Sequence, residues 1–288
     1  MPAFSTRHHT VNIDGLDVFY REAGDRSNPT LLLLHGFPSS SHMFRNLIDS
    51  LSDSFHLVAP DHIGFGRSAM PSVNQFTYGF DQLTEVTEKL IAHLGLDRFA
   101  IYIHDYGAPI GLRIASARPE RITAIVTQSG NAYLEGFTPF WDILFAHAKD
   151  RAANEDGVRE YFTAEKTYWQ YTHGVPQDRL DRIAPEAWLL DQAGLDRRGN
   201  DAIQLQLFWD YQFNLDGYPK FQEYFRTHQP PLLVTWGKND EIFGAAGAEA
   251  FKRDLPNGEF HLLDAGHFAL ETHGDEITGY IRDFMSRL

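Results

Sequence analysis

Residues 101–111 read Ile-Tyr-Ile-His-Asp-Tyr-Gly-Ala-Pro-Ile-Gly. An apolar run, Phe99 to Ile103, stops at a tight glycine-containing turn and gives way to a helix-like pattern, so Asp105 stands at the corner of a strand–turn–helix elbow. Such a corner presents its side chain as a nucleophile. A carboxylate with an ordinary pKa of about 3.9 is ionised near neutrality, so it can displace a leaving group from saturated carbon and form an alkyl-enzyme ester. It suits ordinary ester or amide hydrolysis poorly. Two further residues stand just past strand candidates. Asp240, in Trp-Gly-Lys-Asn-Asp-Glu-Ile-Phe, follows Pro231 to Trp236, and His267, in Asp-Ala-Gly-His-Phe, follows Glu259 to Leu263. An imidazole titrates near neutrality and can take a proton from water. Asp240 would accept from its other ring nitrogen and hold the tautomer, with Glu241 as the alternative acid. The water would then attack the carbonyl carbon of the Asp105 ester. Two backbone N–H groups are expected to stabilise the resulting oxyanion, that of Tyr106 and that of Phe37 in His35-Gly36-Phe37-Pro38. Losing one such donor typically costs about 3–4 kcal/mol of barrier.

The elements that must position these groups follow from the hydrophobic pattern. Thr10 to Ile13 and Leu16 to Glu22 alternate around Asp14-Gly15, a hairpin signal. Thr30 to His35 is a continuous apolar run, as in a strand buried on both faces of a parallel sheet. Further strands are expected at His56 to Ala59, Phe99 to Ile103, Ile122 to Gln128, Pro231 to Trp236 and Glu259 to Leu263. Helices are expected at Ser41 to Leu51, Gly79 to Leu94, Tyr106 to Ala117, Ala246 to Leu255 and Ala269 to Leu288. The alternation predicts an α/β fold with a doubly wound, mostly parallel sheet. It breaks once. Residues 132–229 carry no strong strand signal but several aromatic, helix-compatible segments: Phe140 to Ala148, Glu160 to Tyr171, Pro185 to Ala193 and Ile203 to Phe213. This stretch reads as a helical cap inserted into a core of residues 1–131 and 230–288, placed over the strand ends where such sheets bind ligands.

Composition narrows the function. The 288 residues carry a formal charge of −14 and no basic run, which argues against nucleic acid and anionic membranes. There is no cysteine, hence no thiolate catalysis or cysteine-zinc site. No signal peptide or apolar 18-mer is found, so a soluble cytoplasmic protein, monomer or homodimer, is expected. No metal-ligand spacing and no cofactor motif is seen. The Gly-rich loop Pro60 to Ser68 lacks the Gly-Lys-Ser/Thr of a phosphate loop, and Asp61 is read as ordering it. His8, His9 and His261 are read as exposed or structural.

These motifs resemble the α/β-hydrolase superfamily, and specifically its aspartate-nucleophile branch, the epoxide hydrolases and haloalkane dehalogenases. The resemblance spans the His35 to Pro38 loop, the Asp61 to Ser68 loop, the elbow, the cap, Asp240 and His267. It implies the α/β-hydrolase fold and a small apolar organic substrate that reacts with water without a cofactor. Ile103-His104-Asp105-Tyr106-Gly107 resembles the dehalogenase elbow, but Tyr106 and Phe37 stand where halide-binding Trp and Asn are usual. The His35 to Pro38 loop is similar to that of epoxide hydrolases. Tyr211, about thirty residues before Asp240, matches a cap tyrosine that protonates the opening epoxide. Tyr161, Tyr168 and Tyr171 are candidates for a second such tyrosine. The resemblance favours epoxide hydrolysis to a vicinal diol, with haloalkane dehalogenation as the alternative and an esterase-like hydrolase or a non-turnover receptor behind it. Small halo-acids do not fit, because Tyr106 and Pro109 replace the arginines that grip their carboxylate. His35, Pro38, His104, Tyr168, Trp169 and Phe268 are expected to line the pocket.

Overall fold

The computed structural model describes residues 5–288. Eight strands form one sheet: β1 (Arg7–Ile13), β2 (Leu16–Ala23), β3 (Thr30–Leu34), β4 (His56–Pro60), β5 (Phe99–His104), β6 (Ile122–Gln128), β7 (Leu232–Gly237) and β8 (Glu259–Leu263). Their order is β1-β2-β4-β3-β5-β6-β7-β8. β1 and β2 form an antiparallel hairpin, β2 pairs antiparallel with β4, and the remaining neighbours are parallel. Asp14 and Gly15 at the hairpin tip both have positive φ, 50° and 89°, the backbone that a two-residue hairpin needs to match strand twist.

The parallel strands are apolar throughout because both faces are covered. Alternate residues divide between two cores. Leu32, Leu34, Ile101 and Ile103 face α2 (Phe80–His93) and α3 (Gly107–Ala117). Leu31, Leu33, Ala100 and Tyr102 face α1 (Arg45–Leu51) and the last helix, described below. β5 lies between β3 and β6 near the middle of the sheet, so its carboxyl end, which carries His104 and Asp105, is fixed on both sides.

Between β6 and β7 there is no named strand. The segment folds as α4 (Asp142–Lys149), α5 (Arg151–Arg159), α6 (Ala164–Thr172), α7 (Pro185–Leu195), α8 (Asn200–Asp210) and α9 (Gln212–His228). After β7 come α10 (Ala245–Ala250) and α11 (Ala269–Met285). The α/β class and the mostly parallel sheet are as the alternation predicts.

Helix boundaries differ in instructive ways. α5 is missing from the sequence expectation because its only buried side chain is Val158, so it has no apolar stripe to read. α9 continues well past Phe213 through Gly217 and Pro219, two residues that ordinarily interrupt a helix. Its buried Tyr218, Phe221, Tyr224 and Phe225 hold it together instead. The segments expected as helices at Ser41 to Leu51 and Ala246 to Leu255 are split into 3₁₀ turns and short α-helices. Among the described residues no helix is long and apolar enough to cross a membrane.

Candidate active site

The elbow is built by close packing that only glycine permits. Asp105 has φ of 48°, the left-handed region that costs a non-glycine residue strain. The turn is tight because α3 starts at once beneath β3: a Cβ on Gly107 would lie 2.1 Å from the Leu34 carbonyl oxygen. A Cβ on Gly36 would lie 2.2 Å from Asp105 Oδ1, so glycine lets the loop after β3 close onto the carboxylate.

That closeness has a chemical result. The N–H groups of Phe37 and Tyr106 both donate to Asp105 Oδ1, each at 2.7 Å. The other oxygen, Oδ2, accepts from neither and lies 3.9 Å from His267 Nε2. Burial pushes the Asp105 carboxyl up to about 6. The His267 charge and the two N–H donors resist that shift.

His267 is buried and faces Asp240 with its other nitrogen, Nδ1 to Oδ2 at 2.9 Å. Asp240 is held from three further directions. Its Oδ1 accepts from the N–H groups of Ile242 (2.8 Å) and Phe243 (3.1 Å), and its Oδ2 also accepts from the Ser129 hydroxyl at 2.7 Å. A carboxylate so bonded is an acceptor, so His267 Nδ1 carries the proton and Nε2 has its lone pair free in the neutral ring. Nε2 is buried with no hydrogen-bond partner among the described residues. Burial lowers the His267 pKa, but attraction to Asp240, its hydrogen bond and the Asp105 charge outweigh that and raise it on balance. Glu241 points away from His267 and pairs with His173 at 3.0 Å on the surface.

The residues expected to line a pocket divide. His104 is fully buried, its Nδ1 donates to the Gln128 carbonyl at 3.0 Å, and its ring lies 4.6 Å from that of His267. Phe268 packs edge-on to His267 at 5.1 Å and stacks on Tyr171 at 3.9 Å. His35 ties β3 to the next loop, its Nε2 accepting from the His62 N–H at 3.0 Å, and so works behind the oxyanion loop. Pro38 borders a cleft of about 300 Å³ with Ser39, Asp61 and Asp191. Trp169 is half-buried, stacks on Phe140 and His173, and borders a separate cleft of about 470 Å³ beside Tyr161 and Lys166.

Tyr168, also expected to line the pocket, lies on the outer side of α6. It is 49% exposed and packs edge-on to Trp188. On α6 the inward positions are Thr167, Gln170 and Tyr171, and Tyr168 falls on the turn between them. Asp61 accepts from the N–H groups of Ser41 and Arg67, both at 2.7 Å, and so orders its loop.

The insertion's tyrosines are also sorted. Tyr171 donates to Asp191 at 2.5 Å and Tyr161 to the Phe140 carbonyl at 2.8 Å, so neither hydroxyl is free. Tyr211 is buried between Trp141 (centroids 4.4 Å) and Tyr106 (5.9 Å), and its hydroxyl lies 3.5 Å from that of Tyr218. The Tyr106 hydroxyl is buried without a partner among the described residues. Ser129, Asn131 and Tyr218 were not singled out from the sequence. The signal for Ser129 and Asn131 is position, since both lie within three residues of the end of β6; Tyr218, inside α9, has none.

The segment between β6 and β7 is joined to the loops bearing Asp240 and His267. Asn239 donates to the Gly174 carbonyl at 2.8 Å, Trp141 Nε1 donates to the Ile242 carbonyl at 2.8 Å, and a Cβ on Gly266 would lie 2.0 Å from the His173 carbonyl oxygen. Among the described residues no group of three His, Asp or Glu side chains is placed to hold a metal.

An eight-stranded, mostly parallel sheet with an elbow at β5, an acid after β7 and a histidine after β8 defines an α/β hydrolase. The chain belongs to the α/β-hydrolase-fold family, whose profile matches residues 29–274. It is 46% identical over 273 residues to an uncharacterised hydrolase of Saccharomyces cerevisiae, covering 93% of each chain. It is also similar to a cis-3-alkyl-4-alkyloxetan-2-one decarboxylase of Shewanella oneidensis, 25% identical over 97% of this chain and 88% of that one. A third relative is a haloalkane dehalogenase of Mycolicibacterium paratuberculosis, 28% identical over 95% and 89% of the two chains.

Proposed function

We propose that this hydrolase belongs to the aspartate-nucleophile branch and opens epoxides through an ester on Asp105. The observation that carries the reading is the occupancy of the oxyanion donors. In a serine hydrolase those N–H groups wait for the substrate's carbonyl oxygen. Here the nucleophile's own Oδ1 fills them, which leaves no place for an incoming carbonyl and disfavours an esterase. It suits a reaction in which the tetrahedral carbon is Asp105 Cγ itself.

The steps follow. Asp105 Oδ2 attacks an epoxide carbon, the ring C–O bond breaks, and the alkoxide takes the Tyr211 proton, which leaves a hydroxyalkyl ester. His267 Nε2 then removes a proton from water, and hydroxide adds to Cγ. The charge collects on Oδ1 between the Phe37 and Tyr106 N–H groups. Collapse expels the diol as the imidazolium returns its proton to the leaving oxygen, and the carboxylic acid so formed passes its proton back to the Tyr211 phenolate, leaving an Asp105 carboxylate one of whose oxygens comes from water. Residues 132–229 act as a cap over a core of 1–131 and 230–288, and the protein works as a soluble cytoplasmic enzyme on a small apolar molecule. Similarity to a decarboxylase of four-membered oxetanone rings supports a strained cyclic oxygen compound as substrate. The partnerless Tyr106 hydroxyl and the dehalogenase relative favour a second reading, haloalkane dehalogenation, with that phenol donating to the departing halide.

Intact-protein mass spectrometry of His267→Ala after incubation with styrene oxide or a bromoalkane tests both. An Asp105 peptide heavier by the whole epoxide supports epoxide hydrolysis. A gain equal to the bromoalkane less hydrogen bromide moves the assignment to dehalogenation. No adduct from either would remove Asp105 as the alkylated residue.

A further inference from the structure

Resting on the reading of Tyr211 as proton donor, we infer that Tyr218 is a positioning residue that aims the Tyr211 proton at the substrate and stabilises the phenolate left behind. The direction of the hydrogen bonds follows from one amide. Asn131 faces the backbone of Tyr133 with both ends of its side chain: one atom lies 2.8 Å from the Tyr133 carbonyl oxygen and the other 3.3 Å from the Tyr133 N–H. A carbonyl only accepts and an N–H only donates, so the first atom is Nδ2 and the second Oδ1.

The same Nδ2 lies 3.3 Å from the Tyr218 hydroxyl and can only donate to it. The Tyr218 oxygen therefore accepts from Asn131, and its own proton turns to the Tyr211 oxygen at 3.5 Å. With its oxygen accepting from Tyr218, Tyr211 keeps its proton for a partner outside the pair. The chain runs in one sense: Asn131 to Tyr218, Tyr218 to Tyr211, Tyr211 to substrate.

The surroundings make this relay count. Tyr211 and Tyr218 are both about 2% exposed. Phe137 stacks parallel to Tyr218, and Phe80, Trp141 and Phe243 pack around Tyr211. A phenolate formed in so apolar a place needs a donor at its oxygen, because solvent cannot reach it. Burial holds the Tyr211 phenol well above its ordinary range, and the charge that Tyr218 would carry if it ionised first and the nearby Asp105 charge add to that. The relay spans the two parts of the chain, since Asn131 is the third residue after β6 while Tyr211 and Tyr218 belong to the segment between β6 and β7.

The test compares wild type, Tyr211→Phe and Tyr218→Phe in single-turnover alkylation by a series of epoxides whose product alkoxides differ in basicity, with a bromoalkane alongside. Tyr218→Phe keeps the ring and the packing, so its melting temperature should stay close to wild type. We expect it to slow epoxide alkylation about tenfold, the size of one hydrogen bond to a developing charge. The loss should grow with alkoxide basicity and be absent for the bromoalkane, whose leaving group needs no proton. A uniform loss across epoxides and bromoalkane, or no loss, would overturn the relay while Tyr211→Phe remains inactive on epoxides. Undiminished epoxide alkylation by Tyr211→Phe would instead overturn the reading on which it rests, as would the absence of any epoxide reaction in wild type.

Discussion

Asp105 Oδ2 and His267 Nε2 face each other 3.9 Å apart; among the described residues Nε2 has no hydrogen-bond partner, and Oδ2 accepts from neither N–H that holds Oδ1. That separation is too long for a hydrogen bond. In the proposed mechanism it leaves the carboxylate oxygen available to carbon and the imidazole available to water, so that one pair of residues would serve two successive steps.

The first prediction concerns pH. The Asp105 carboxyl is pushed up to about 6 by burial, and only its ionised form attacks. Single-turnover alkylation should rise with pH, reach half its limit near pH 6, and fall about tenfold per unit below that. Rapid-quench kinetics between pH 4.5 and 8 give the profile. A flat rate down to pH 4.5 would contradict it.

The ester should titrate differently from the free enzyme. The Asp105 charge is one of the causes that raise the His267 pKa, and alkylation removes that charge. Burial remains and acts in the opposite direction. Hydrolysis of the ester should therefore reach its plateau at a lower pH than that at which free His267 loses its proton by NMR. Coincident values would show that the two residues are not coupled.

Gly36→Ala places a methyl group where Asp105 Oδ1 now sits, the Cβ being 2.2 Å away. The loop must retreat, and the Phe37 N–H goes with it. Turnover should fall about 10²–10³-fold, the usual loss for one oxyanion donor, with the ester persisting in mass spectra. Wild-type turnover would show that Phe37 is dispensable.

Ser129→Ala removes one donor to the carboxylate that orients His267, the bond being 2.7 Å long and buried. Hydrogen bonds to charged groups contribute about 1.5–3 kcal/mol, and urea denaturation should show a loss of that order. The hydrolytic half-reaction should slow more than alkylation, because only the former uses His267. Equal slowing of both would place Ser129 outside the acid–base pair.

The last prediction concerns stability at the sheet's far side. Glu22 is buried and bonds His56 at 2.9 Å and Arg26 at 2.7 Å, with His9 at 3.2 Å. Burial raises its pKa, but the hydrogen bonds and charges of His56 and Arg26 outweigh that and lower it below the ordinary 4.5. A carboxyl with a depressed folded pKa stabilises above its unfolded value and loses that contribution as pH falls through the folded one. Glu22→Gln should cost about 1–3 kcal/mol at pH 7 and noticeably less below pH 4, as measured by denaturant unfolding.

The sheet was legible because its strands are short apolar runs bounded by turn residues, and a strand buried on both faces has no other sequence form. That Asp105, Asp240 and His267 come together was legible for a related reason: each lies within four residues of the end of such a run, and the parallel strands bring those ends to one side of the sheet. The insertion was less readable. Its aromatic residues repeat at spacings that suit either packing or a pocket, and a single step along α6 moves Tyr168 to the surface while Tyr171 stays inside. Tyr171 in turn is spent on Asp191, a partner twenty residues away that no local pattern reveals. α9 was hidden by Gly217 and Pro219, whose local preference is overridden by the aromatic face around them. Asn131 and Ser129 look like ordinary turn residues, and only their partners across the fold distinguish them.

The seam between the insertion and the loops of Asp240 and His267 bears on traffic. Gly174 is bonded to Asn239, and Gly266 lies against His173 so closely that no side chain would fit. A cap of the proposed kind, fastened to the loops of Asp240 and His267, would not swing open without disturbing them. On that reading molecules pass instead through gaps that side chains make by rotating. The widest group able to squeeze between those side chains then sets an upper limit on what the enzyme can process, whatever room lies inside.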